Sequence, residues 1–233
     1  DALIFDFKEG SLKIVKVPTT PKNPHEGVIR GVELLSKTLH SLDEFVHGTT
    51  LGLNAILERK GSKVGIISNE GFRDIFEIGR GDLSFENMYK FDFHQSKKLV
   101  PRYRTIGVEC RINCQGEVIT ELDKNDLINK VKLLIDRYES ESVAISFLHS
   151  YINPEHELDA RDILSKMFPN IPVSLGSEIA REYREYERTS TAVLDSYIKP
   201  VLGSYLSHLE DFFLKKQFSG GFHIMRSGGG AMT

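Results

Sequence analysis

A chain of 233 residues, 40% hydrophobic and 27% charged, has enough apolar material for one sizeable core or two modest ones, which excludes general disorder. Its 30 basic and 33 acidic side chains leave a formal charge of -3, and neither sign forms a long block, so nucleic acid is not expected as a partner. No apolar run approaches the roughly 20 residues of a bilayer span, and the first residues lack the basic and apolar regions of a signal peptide, so the expectation is a soluble cytoplasmic protein with no membrane partner.

Ala2 to Phe7 and Leu12 to Val17, short β-branched or aromatic runs around Lys8-Glu9-Gly10, predict two antiparallel strands. Asn23-Pro24-His25-Glu26 then offers an N-cap, a proline at the first helical position and a carboxylate behind it, a strong helix start. Val28, Val32, Leu35 and Leu39 follow at helical spacing, and His25 and His40 are expected on the solvated side or at the helix ends.

Phe45-Val46 returns to a sheet and runs into His47-Gly48-Thr49-Thr50, a strand-to-helix turn bearing one imidazole and two hydroxyls, where α/β proteins commonly place chemistry. Thr49 or Thr50 can cap the next helix, and the freed backbone N–H groups suit an anion or a polarised carbonyl. The bland alternative is a satisfied, partly buried imidazole beside an ordinary cap. Leu53, Ile56 and Leu57 pack that helix inward, and Glu58-Arg59-Lys60-Gly61 ends it. Lys63 to Ser68 predicts a buried strand, and Gly71 to Gly81 a short helix carrying Glu77 and Arg80.

Residues 83–100 are mixed, with Tyr89, Phe91, Phe93 and His94 among charges, and read as a packed loop or a substrate-facing excursion. Arg104 to Arg111 and Glu117 to Glu121 are expected to pair as a hairpin around Asn113-Cys114-Gln115-Gly116. Cys110 and Cys114 have no second pair to complete a zinc site and read as plain thiols, and no metal-ligating set is assigned. A second α/β unit follows: a helix opened by Asp123, the strand Ser142 to Leu148 ending at His149, a helix from Asn153-Pro154-Glu155, and the strand Pro172 to Leu175.

The polar cluster Ser177 to Arg188 has two readings. One is a solvated helical face with pairs three and four apart, each contributing about 0.2–0.5 kcal/mol. The other turns Arg184, Glu185 and Arg188 toward a cleft. From about Thr189 to Lys216 the apolar stripe Val193, Tyr197, Val201, Tyr205, Leu209 and Phe212 predicts one long helix, kinked at Pro200. The strand Phe222 to Met225 leads into Arg226-Ser227-Gly228-Gly229-Gly230, whose glycines permit close backbone approach to a ligand.

Two of these segments, Phe45 to Gly61 and Gly71 to Arg80, resemble the paired signatures of the hydantoinase A/oxoprolinase family, which includes ATP-dependent N-methylhydantoinase, 5-oxoprolinase and related subunits of acetone and acetophenone carboxylases. Asp1-Ala2-Leu3-Ile4-Phe5-Asp6 resembles the continuation of the family's first glycine-rich Thr-Phe-Thr-Asp motif, with Asp1 as its last residue. Glu185-Tyr186-Glu187-Arg188 with Thr191-Ala192-Val193, and the Arg226 to Gly230 turn, match further family signatures.

The resemblance implies an actin-like ATPase fold: residues 1–100 as a ribonuclease-H-like α/β half-domain lacking its first strand, then residues 101–233 as a hairpin and second α/β unit ending before the second ATPase lobe. It implies an amino-terminal portion of an ATP-dependent cyclic-amide hydrolase that opens a lactam or hydantoin ring by phosphorylating the amide oxygen. ATP and Mg²⁺ are expected for the intact enzyme. Tight binding to this stretch is not expected, because the Gly-Gly-Thr phosphate loops of the family are not in the sequence. In that chemistry His47, Thr49 and Thr50, with Gly48 and Asn54, would orient substrate or the transferring phosphoryl group; Glu77 and Arg80 would support that wall; Ser227, Gly228 and Gly229 would line the opposite side; Arg184, Glu185 and Arg188 would face substrate or phosphate; and Asp1 would lie by the nucleotide. A hydantoinase B-type subunit is the expected partner. The alternatives are the ATP-using subunit of a ketone carboxylase, a non-catalytic assembly surface and, by analogy of fold alone, a sugar kinase.

Overall fold

A computed structural model describes all residues except 37, 82–83, 93–96, 227 and 233. In chain order the elements are β1 (Ala2–Asp6), β2 (Ser11–Val15), α1 (Pro24–Leu35), β3 (Glu44–His47), α2 (Leu51–Leu57), β4 (Val64–Asn69), α3 (Ile75–Ile78) and α4 (Phe85–Met88). There follow β5 (Thr105–Val108), β6 (Arg111–Ile112), β7 (Val118–Thr120), α5 (Lys124–Asp136), β8 (Ser142–Ile145), α6 (Glu155–Met167), β9 (Val173–Leu175), α7 (Gly176–Ile179), α8 (Glu185–Lys215), β10 (Gly221–Met225) and β11 (Ala231–Met232). Contacts group residues 1–54 with 201–233 as one compact unit and 55–200 as another. The division near residue 100 drawn from the sequence is a different partition and stays a proposal.

In the first unit β1 and β2 form the expected hairpin, whose turn is fixed by Asp6 Oδ1 accepting from Lys8 N (2.8 Å) and Glu9 N (3.1 Å). Beside it is a three-stranded sheet in the order β11-β10-β3, mixed because β10 runs parallel to β3 and antiparallel to β11. Val32, Leu39 and Phe213 make its core, with Phe45 and Phe222 stacked at 5.5 Å. At the start of α1, Asn23 occupies the N-cap position but donates from Nδ2 to Glu26 Oε1 (2.8 Å), while Thr20 Oγ1 takes the Gly27 N–H (3.0 Å). His25 lies at the start of α1, one of the two expected places, and is half-buried there, stacking on the His208 ring at 4.3 Å.

The second unit is built on an all-parallel sheet in the order β5-β4-β8-β9. Successive residues face opposite sides, and both sides are covered. Val64, Ile66 and Ala144 pack with Phe76, Ala192, Val193 and Tyr197, whereas Ile67, Val143 and Ile145 pack with Leu127, Val131, Leu134 and Leu164. Such strands are apolar on both faces and show no alternation in sequence. This accounts for one correction: Thr105–Val108 does not belong to a hairpin but joins the parallel sheet beside β4, buried throughout. Within this unit β6 and β7 pair antiparallel, around a turn in which Asn113 Oδ1 accepts from Gln115 N (3.0 Å) and Glu117 N (2.9 Å). Cys110 is buried and Cys114 exposed, both as free thiols; burial pushes the Cys110 thiol up to about 12, which makes it inert.

Helix α8 begins one turn earlier than its apolar stripe suggested and contains Pro200, which forgoes a backbone hydrogen bond. Among the described residues, no helix is long and apolar enough to cross a membrane.

Candidate functional site

Parallel β3 and β10 are paired in register, His47 beside Ile224, so the segments that follow leave the sheet at the same carboxyl end. That is where open α/β sheets bind ligands. A Cβ on Gly48 would touch Met225 Sδ at 3.5 Å, so the two exits are adjacent. After β10 the chain turns tightly: Gly229 N donates to the Arg226 carbonyl (3.0 Å) and Arg226 N to the Gly230 carbonyl (2.9 Å). Gly229 (φ +94°) and Gly230 (φ +79°) are left-handed, a conformation that glycine alone adopts freely, and a Cβ on either, or on Gly228, would meet nothing within 4 Å. The backbone there is open to a ligand, which fits the close approach of a phosphate or carbonyl. Gly228 and Gly229 thus lie in the turn that follows the strand paired with β3, while Ser227 lies outside the described residues.

His47 is half-buried, and its Nε2 is 2.7 Å from the Tyr205 phenol oxygen. Burial lowers its pKa from 6.5, so the ring is neutral at physiological pH. Burial also pushes the Tyr205 phenol up, and a hydrogen bond from the Thr49 side chain draws it partly back. Thr49 Oγ1 accepts from Leu51 N (3.2 Å), and Thr50 Oγ1 accepts from Asn54 Nδ2 (3.4 Å). Thr50 and Asn54 therefore pair at an exposed turn, separately from His47 and Thr49, which both reach Tyr205. The sequence listing of an apolar stripe concealed this residue, although a tyrosine buried to 5% exposure needs a partner for its hydroxyl. Asp1 is exposed, with Lys16 Nζ at 3.9 Å.

The second unit gathers the other candidates near the start of α8. Arg80 is ion-paired with Glu187, and Arg80, Arg184 and Glu185 line a shallow cleft of about 300 Å³ together with Gly79 and Tyr186. Arg184, immediately before the helix, has φ +87°, a strained value for a residue with a side chain. Glu77 lies in α3, half-buried. Arg188 is turned inward at 1% exposure: Nη2 donates to the Phe147 carbonyl (2.9 Å) and Nη1 to the Glu182 carbonyl (2.8 Å). Burial depresses its pKa, opposed by the nearby Glu157 and Glu185 carboxylates. Glu157, which sequence reasoning missed, is fully buried and accepts from Phe147 N and Ser177 N, both at 2.8 Å. No local pattern marked it, because it sits on a helix face that reads as amphipathic.

This unit has its own reversal of strand order between β4 and β8, but that crevice is plugged. Asn69 Oδ1 accepts from Leu148 N (2.7 Å) and Nδ2 donates to the Cys110 carbonyl (2.7 Å). His149, at the end of β8, has φ +60°, and burial followed by Arg111 and Arg188 lowers its pKa against Glu185. His94 lies outside the described residues. Among the described residues, no three His, Cys, Asp or Glu side chains could together hold a metal ion.

A profile of the hydantoinase/oxoprolinase N-terminal region matches residues 1–168, and one of hydantoinase/oxoprolinase matches residues 188–233. An uncharacterized protein of Methanocaldococcus jannaschii is 39% identical over 233 residues, covering 99% of this chain and 34% of the relative. The gamma subunit of acetophenone carboxylase from Aromatoleum aromaticum is 30% identical over 242 residues, covering 96% and 33%. The crystal structure of the ATP-dependent caprolactamase from Pseudomonas jessenii superposes with a TM-score of 0.81 at 28% identity, covering 98% of this chain and 34% of that one. The chain spans about a third of the length of the relatives it matches.

Proposed function

The chain belongs to the hydantoinase/oxoprolinase family, and from that premise we propose that it is the amino-terminal part of an ATP-dependent hydrolase that opens cyclic amides. Its α/β architecture with parallel and mixed sheets is consistent with an actin-like ATPase-type fold. The observation that carries the proposal is the paired exit of β3 and β10, with a neutral imidazole, two hydroxyls and an open glycine backbone at one sheet end.

The amide of an unstrained ring resists attack by water because nitrogen is a poor leaving group and the carbonyl is weakly electrophilic. Bound ATP would supply a phosphoryl group to the amide oxygen. The chain's own residues then have to orient that oxygen and stabilise charge on it, a task for fixed donors in place of a covalent nucleophile. His47 supplies a ring N–H, Thr49 and Thr50 supply hydroxyls, and Gly228 and Gly229 let backbone come close. Asn54 holds Thr50, and Gly48 keeps the turn free of a side chain. In the second unit, Arg80, Arg184 and Glu185 are proposed to bind a polar part of substrate or phosphate, with Glu77 supporting them. Arg188 acts there by holding the carbonyls of residues 147 and 182 in place. Asp1 is kept as a nucleotide-side residue, and a hydantoinase B-type subunit as the partner.

The likeness to a carboxylase gamma subunit favours a second reading, in which the same activation is applied to bicarbonate or an enol. The intact protein, with its partner subunit and MgATP, separates the two. ADP release that requires 5-oxoproline, a hydantoin or caprolactam and yields the ring-opened acid supports the hydrolase. Release that requires bicarbonate plus a ketone transfers the site to the carboxylase.

A further inference from the structure

We infer that Tyr205 is a positioning residue that holds His47 as the Nδ1–H tautomer, so that the ring offers the ligand a hydrogen-bond donor and no basic nitrogen. The assignment of a ligand to His47 rests on the proposed function; the tautomer does not.

Tyr205 and His47 are 158 residues apart in sequence and 2.7 Å apart between Oη and Nε2, with ring centroids at 5.7 Å. A phenol is a stronger acid than a neutral imidazole N–H, and an imidazole nitrogen is a better acceptor than a phenol oxygen. The proton between them therefore belongs to Tyr205, which donates to Nε2. A ring whose Nε2 lone pair is engaged carries its one proton on Nδ1, because the bond made by one nitrogen sets the state of the other.

The surroundings favour the same direction. Leu51 N–H can only donate, and it donates to Thr49 Oγ1, which leaves the Thr49 hydroxyl proton available to the Tyr205 oxygen. The order Leu51 N–H to Thr49, Thr49 O–H to Tyr205, and Tyr205 O–H to His47 Nε2 uses each proton once. Phe45 stacks along the ring at 6.1 Å and Tyr205 is almost wholly buried, so the imidazole has little freedom to flip and exchange its nitrogens. The outcome is a neutral N–H fixed at the carboxyl end of β3. Such a group suits a developing oxyanion or a phosphoryl oxygen and cannot remove a proton from water through Nε2.

Selective ¹⁵N-histidine labelling of the intact protein tests this, with the His47 signals among the 8 histidines assigned by their loss in His47→Gln. The expected spectrum at neutral pH has a protonated Nδ1 and an unprotonated Nε2, and Tyr205→Phe shifts the pair toward the Nε2–H form. A wild-type ring protonated on Nε2, or on both nitrogens at neutral pH, overturns the inference without needing the variant to fold. Unchanged nitrogen shifts in folded Tyr205→Phe overturn it equally. In the activity assay the variant is expected to lose kcat with the KM for the cyclic amide retained, and an unchanged kcat despite a changed tautomer overturns the positioning role. The Nδ1–H form together with no lactam-dependent ADP release supports the tautomer and rejects the hydrolase reading alone.

Discussion

His47 and Ile224 stand side by side in parallel strands, and Gly48 leaves β3 within contact distance of Met225, the last residue of β10. A turn bearing an imidazole and a turn of glycines, separated by more than 170 residues of chain, are thereby brought to one edge. Neither turn is specific alone. Their adjacency makes a place where a polarised oxygen can meet a fixed N–H and an open backbone.

Replacing His47 by alanine removes that N–H. If the ring stabilises an oxyanion, turnover by the intact enzyme falls about 10²–10³-fold, the usual loss of one such donor, with the fold retained. Steady-state kinetics of His47→Ala beside a circular dichroism melt checks this; unchanged turnover removes the residue from the mechanism.

Glu157 is expected to matter for stability. Its carboxylate accepts two buried backbone N–H groups, from Phe147 and Ser177, and faces the Arg188 guanidinium electrostatically. Glu157→Ala leaves both donors unpaired and a buried cation without its counter-charge, a loss of about 3 kcal/mol or more. Urea denaturation measures it, and a shift of the midpoint worth under about 1 kcal/mol contradicts the assignment.

Gly61 is held by close approach. A Cβ there would lie 2.2 Å from Tyr197 Cε1, and Ser62 N donates to the Tyr197 carbonyl (2.9 Å), so the backbone cannot back away from the ring without losing that bond. Gly61→Ala should cost about 1–3 kcal/mol, as overpacking does. Gly203→Ala is the control: a Cβ there meets nothing within 4 Å, and it should be neutral or slightly stabilising in the same titration.

Acid should weaken the fold through its depressed histidines. His47, lowered by burial, and His149, lowered first by burial and then by Arg111 and Arg188, bind protons more weakly folded than unfolded. Their contribution is complete above the unfolded value of 6.5 and is lost as pH falls through the lower folded values. Denaturant midpoints at about pH 7.5 and about pH 5.5 should therefore differ, and His47→Gln should reduce the difference. An identical drop in the variant would show that His47 does not titrate with unfolding.

Much of this was legible in the residues. The turn after β3, the order of elements to α3 and the long α8 follow from punctuation and period, and family likeness rests on contiguous signatures. Other features depend on contacts that local sequence does not encode. Thr105–Val108 has the composition of either a hairpin arm or a doubly covered strand, and only its burial beside β4 decides. Tyr205 fits an apolar stripe so well that its hydroxyl went unread, and Arg188 looked like a cleft residue because a solvated face and an inward guanidinium share one pattern. His25 found its partner His208 across a separation no period reveals.

The most direct test of the account is ADP release by the intact protein with its partner subunit, MgATP and a cyclic amide, measured together with the ring-opened product. The account predicts ADP and opened acid in equal amounts, both strongly reduced by His47→Ala. Release of ADP without ring opening, or only with bicarbonate and a ketone, would contradict it.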